Sequence, residues 1–165
     1  MECLFLDESG NMGIKDTNFI IISILRFNSI NDSNKLKKLR NKLLYTKFKK
    51  EILRHTEIKF HLTSNKFKKL GLKKLNELDF KAYSIVMDKN DLKNKQLLNK
   101  HNSNEIYMDM VIELLKMIDL KNPYILRMDK FLPRKYIEIF DSKVSQMEKI
   151  YTNNSNIYHN NSANI

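Results

Sequence analysis

Cys3-Leu4-Phe5-Leu6-Asp7-Glu8-Ser9-Gly10-Asn11 carries an apolar run straight into two adjacent carboxylates and then a glycine turn. The run reads as a buried strand, and it delivers acid to the strand's end. Ligands of open α/β sheets gather outside the carboxyl ends of the strands, so acids placed there suit a metal better than they decorate a surface. A second strand, Phe19 to Phe27, follows a Gly10 to Asn18 turn with two glycines, and the pair reads as a hairpin.

Outward from that hairpin the chain alternates between the two periodicities. A helix is expected from about Asp32, read as its N-cap, with Leu36, Leu39, Leu43 and Phe48 as its apolar stripe. Thr56-Glu57-Ile58-Lys59-Phe60 is an isolated short segment, and a shorter helix follows Ser64, weakened by Gly71. Phe80 to Met87 is a third strand ending at Asp88-Lys89. Ile106, Met110, Leu114, Met117 and Ile118 then mark an amphipathic helix. Tyr124 to Asp129, opened by Pro123, is another strand that closes on an acid, and Pro133 starts a helix to about Glu148. This order predicts an α/β domain with helices covering a sheet.

The 165 residues, 42% hydrophobic and 30% charged, suit a single domain spanning 1–165, with 152–165 as a polar edge strand or frayed tail. No apolar run approaches the roughly 20 residues needed to span a bilayer, and Glu2 stands where a secretory leader would carry positive charge. A cytoplasmic protein without a membrane partner is expected. Cys3 cannot pair within the chain and reads as a small buried hydrophobe. The formal charge of +11 makes nucleic acid the expected partner class. Each lysine run taken singly, such as Lys35 to Arg40 or Lys66 to Leu70, still reads first as the solvated face of a helix. Nothing in the sequence sets an oligomeric state.

Asp7-Glu8-Ser9-Gly10 at the amino terminus, the strand at 19–25, Glu57-Ile58-Lys59-Phe60, the strand ending Asp88-Lys89 and the strand ending at Asp129 together resemble the family known as domain of unknown function 3800, a branch of the ribonuclease H-like superfamily. The resemblance covers nearly the whole chain. It implies a ribonuclease H-like mixed central sheet flanked by helices, with the strands ending at Asp7 and Asp129 side by side. It also implies a divalent-metal-dependent nuclease acting on phosphodiesters. Asp7, Glu57 and Asp129 would be the catalytic metal ligands for Mg²⁺ or Mn²⁺, and Lys59 would contact a substrate phosphate. Hard cations take oxygen ligands, and two of them can activate water and stabilise a leaving oxygen. In the family a last helix with one more aspartate follows the strand aligned with 156–161. This sequence stops at Ile165 without it, so the resemblance implies a C-terminally truncated domain lacking that ligand.

Plainer readings stand beside each residue. Asp7 could cap the turn before Gly10, Glu8 is as readily a solvated neighbour as a ligand, and Glu57 could pair with Lys59. Asp129 could pair with Lys130, and Asp88 reads as a strand-end turn residue. The four histidines lack metal-ligand spacing, and Gly10 to Gly13 lacks the ending of a phosphate-cradling loop. Two functions therefore compete: a metal-dependent nuclease, and a noncatalytic basic domain that binds nucleic acid or a protein partner.

Overall fold

The computed structural model describes residues 1–10, 17–46, 48–50, 63–120, 122–129, 132–151 and 156–160. Its elements in chain order are β1 (Glu2–Ser9), β2 (Phe19–Phe27), α1 (Ile30–Leu44), α2 (Asn65–Leu75), β3 (Lys81–Asp88), α3 (Leu92–Lys100), α4 (Ser103–Met117), β4 (Tyr124–Asp129), α5 (Arg134–Tyr151) and β5 (Asn156–Asn160). The strands form one mixed sheet in the order β3-β2-β1-β4-β5. β2 pairs antiparallel with both β1 and β3, whereas β4 runs parallel to β1 and to β5. Helices flank this sheet, as the sequence predicts.

The apolar run of β1 is continuous because both of its faces are covered. Leu4 and Leu6 turn toward α4 and α5, joining Ile20, Ile22 and Ile24 of β2, Leu126 and Met128 of β4, and Leu114, Phe140 and Val144 of the two helices. Cys3 and Phe5 turn the other way and pack with Phe27, Ile125 and Leu36 of α1. Leu43, Phe48 and Phe67 then join α1 to α2. Full burial of each large aliphatic or aromatic side chain contributes about 1.5–3 kcal/mol, so the larger cluster dominates the fold's stability.

Two local expectations are corrected. The first helix starts at Ile30, not at Asp32, because Ser29 is its N-cap: Ser29 Oγ accepts from the Asp32 amide at 3.1 Å and donates to Asp32 Oδ2 at 2.7 Å. An additional helix, α3, lies between β3 and α4, a stretch to which the sequence reading assigns no element. Asp91 caps it, accepting from the amides of Lys93 and Asn94. The 56–60 segment lies outside the described residues. No helix among the described residues is long and apolar enough to cross a membrane.

Candidate active site

Strand pairing carries the first step of the site's geometry. β1 and β4 are parallel neighbours at the middle of the sheet, with Leu6 opposite Met128, so Asp7 and Asp129 come next along the two strands. Alternation sends Asp7 to the side of Cys3 and Phe5, and Asp129 to the side of Ile125. Both therefore lie on the sheet face that α1 covers lower down. Asp7 is exposed and Asp129 half-buried.

Glycine ends the strand sharply. Gly10 has φ +95°, and a Cβ there would stand 2.3 Å from the carbonyl oxygen of Phe19. Only glycine combines that left-handed backbone with so close an approach. The chain leaves the sheet directly after the acids, and Asp7 Oδ1 accepts from the Glu8 amide at 3.0 Å.

Glu8 is the unexpected member. By alternation it follows Leu4 and Leu6 onto the α4 side, where its carboxyl is only partly accessible and Oε2 is buried without a hydrogen-bond partner. Burial foremost, then the negative charges of Asp7 and Asp129, push its pKa up from 4.5 to about 7. Its own backbone and the Tyr107 hydroxyl offset this only in part, and no lysine or arginine among the described residues helps them. Tyr107, buried on α4, has its own ionisation pushed above the ordinary phenol range by burial and then by Glu8, Asp7 and Asp129. Three carboxylates and one phenol thus feel one another at the carboxyl end of the β1–β4 pair.

Among the described residues, no three His, Cys, Asp or Glu side chains stand close enough together to hold a metal ion in the conformation seen. The donor chemistry still fits a hard divalent cation. Every candidate donor is a carboxylate oxygen, one of them is sealed from water and unpartnered, and no cation among the described residues offsets the charge on Glu8.

The remaining candidates fall elsewhere. Glu57 and Lys59 lie outside the described residues. Asp88 ends β3 at the edge of the sheet, where its Oδ1 accepts from the Asn90 amide at 2.8 Å in a turn. His159 of β5 meets Asp141 of α5 at 3.0 Å. Cys3 is buried and free. Sequence reasoning passed over Tyr107, which sits within the apolar stripe of α4 and announces itself only as an aromatic with a polar tip. It held Glu8 to be a neighbour as readily as a ligand; the signal was its adjacency to Asp7 at a strand end.

No protein-family model and no curated protein matches the chain. Solved structures do. The chain is similar to ribonuclease HII of Archaeoglobus fulgidus, solved in complex with PCNA, at TM-score 0.56 and 11% identity over 96% of this chain and 63% of that one. It is similar to ribonuclease H2 of Pyrococcus horikoshii OT3 at TM-score 0.59 and 11% identity, over 99% of this chain and 64% of that one. The chain therefore spans a little under two thirds of either neighbour's length. At this identity the likeness speaks to architecture alone, and the architecture is the ribonuclease H-like fold.

Proposed function

We propose that the protein is a divalent-metal-dependent nuclease, hydrolysing phosphodiesters at the carboxyl ends of β1 and β4, and that it belongs to the domain of unknown function 3800 family. The observation that carries this reading is Glu8: a carboxyl largely buried beside two other acids and pushed to about 7, with no compensating cation among the described residues. Clusters of that kind are costly to a fold and recur at sites where charge is put to use.

Asp7 and Asp129 would hold the cation from one face of the sheet, and Glu8 would complete the donor set from the other. Glu57 remains in the proposal as a further ligand and Lys59 as a phosphate contact. Bound Mg²⁺ or Mn²⁺ supplies Lewis acidity and an ionised water at neutral pH. The chain's own part is to fix the carboxylates on a rigid strand pair, to keep Glu8 Oε2 out of bulk water, and to hold Glu8 against the Tyr107 hydroxyl. The ribonuclease H-like fold supports the reading by placing the two strand ends together.

The test is a double substitution, Asp7→Ala with Asp129→Ala. Nuclease activity with Mg²⁺ or Mn²⁺ falls to background, and Mn²⁺ binding read by calorimetry is lost while the circular dichroism spectrum is kept. Metal-dependent cleavage that survives the double change sinks the assignment.

A further inference from the structure

The net charge of the protein is not spread over it. α1 and α2 together hold ten basic residues against a single acid, Asp32, a net +9 from two helices in a chain whose total is +11. The rest of the sequence is close to balanced. Compositional bias toward lysine would scatter the charge across every helix, so the concentration calls for a different cause.

Packing turns the two runs into one surface. Leu39 and Leu43 of α1 meet Phe67 and Leu70 of α2, which sets the helices side by side and directs their basic residues outward. Lys37, Lys38, Arg40, Lys66, Lys69 and Lys73 are all exposed, and none makes an ion pair among the described residues. Convergence of the layer shows at Glu77, whose carboxyl is held below its usual range by Lys74 foremost, with Lys73 of α2 and Lys42 of α1 adding to it. Along α1, an open groove of about 420 Å³ sets the amides of Asn34 and Asn41 beside Lys38, adding neutral donors to the cations.

Its position relative to the acids matters as much as its charge. Leu36 anchors α1 on Cys3, Phe5 and Ile125, the sheet face from which Asp7 and Asp129 also project. Cys3 and Asp7 are four residues apart on β1, which is about 13 Å of strand. A helix of 15 residues is about 22 Å long, the axial rise of roughly six base pairs.

We infer that the α1–α2 layer is the docking surface for the phosphodiester backbone of a double-stranded nucleic acid, held on the same side of the sheet as the carboxylates at the ends of β1 and β4. The inference rests on the nuclease reading for its choice of polyanion, and adds to it where and how the substrate is held. A rigid helical face with cations at fixed spacing neutralises a duplex backbone without reading its bases.

Two triple variants of the full chain test it, each removing three positive charges with a good helix former in place. Lys38→Gln, Lys69→Gln and Lys73→Gln alter the layer. Lys93→Gln, Lys95→Gln and Lys135→Gln alter exposed lysines on α3 and α5, across the sheet. Binding to a fluorescently labelled duplex is followed by anisotropy across a salt series. The layer variant loses about three from the slope of log affinity against log salt, and the control variant leaves it nearly unchanged. Equal losses in both variants, or no loss in the layer variant while the unaltered protein binds, overturn the inference and leave the nuclease reading standing. Failure of the unaltered protein to bind any duplex overturns both. Binding instead to phosphatidylserine vesicles, with duplex ignored, assigns the layer to a membrane surface and defeats the inference.

Discussion

Glu2 and Glu8 are the same residue type on the same strand, turned toward the same side of the sheet, and they end up in opposite circumstances. Glu2, with a side chain 5% exposed, meets Arg26 at 2.8 Å and also accepts from the side-chain Nδ2 of Asn122 at 3.2 Å. Glu8, six residues on, is pushed to about 7 beside two further acids, and no cation among the described residues offsets it. Each has one buried oxygen, Oε2, without a hydrogen-bond partner, so burial of polar atoms does not separate them. The cation does. A buried acid whose task is structural brings its counter-charge within the chain, and an acid left without one is poised for a charge from outside.

The comparison breaks most severely at Arg26. Arg26→Met leaves Glu2 buried without its cation and is expected to cost about 3–5 kcal/mol, read as a fall in the urea midpoint at neutral pH. Adding Glu2→Gln to that variant recovers most of the loss. If the single change is nearly neutral, Glu2 is not the charge-compensated counterpart that the contrast requires.

Glu8 responds in the opposite direction. Its folded pKa of about 7 exceeds the ordinary 4.5, so the folded state holds the proton more tightly than the unfolded chain does. Relative stability is fully present below about 4.5 and drains away as pH rises through 7. Because the carboxyl is only partly buried, the loss is about 2 kcal/mol rather than the full value of the shift. Glu8→Gln therefore stabilises the metal-free protein by about that amount at pH 8 and by nothing at pH 4, measured by denaturant titration at the two pH values. In the unaltered protein Mn²⁺ raises Tm at pH 8, and in the Glu8→Gln variant the rise shrinks. A variant no more stable than its parent at pH 8 without metal shows that Glu8 is compensated after all.

How much of this was legible beforehand follows from what is local and what is not. The strands ending at Asp7 and Asp129 were readable from short apolar runs, Gly10 and Pro123, because strand ends leave their marks in adjacent residues. α3 escaped because most of its nine residues are polar, although Asp91 ahead of it was a usable cap signal. The start of α1 was misplaced for a similar reason: Asp32 belongs to the cap as the third residue after Ser29, a reciprocal pairing that a search for a lone capping residue overlooks. The state of Glu8 was invisible, since it depends on Tyr107 and Asp129, about a hundred residues away and more. The basic layer stayed hidden too, because its two lysine runs become one surface only when Leu43 and Phe67 pack.

His159 and Asp141 supply the intermediate case, and with it the finest test of the contrast. Their side chains are 12% and 44% exposed and meet at 3.0 Å, joining the edge strand β5 to α5 with Phe140 packed edge-on to the imidazole. Here water reaches one partner, so removing the other leaves an acid that can be hydrated. His159→Gln is therefore expected to cost only about 0.2–1 kcal/mol, well under the Arg26 variant, when both are titrated with urea under the same conditions. A cost as large as that of Arg26→Met shows that the stranded partner's burial does not govern the penalty. The difference between Glu2 and Glu8 then lies in local packing, and Glu8 has no need of an external cation.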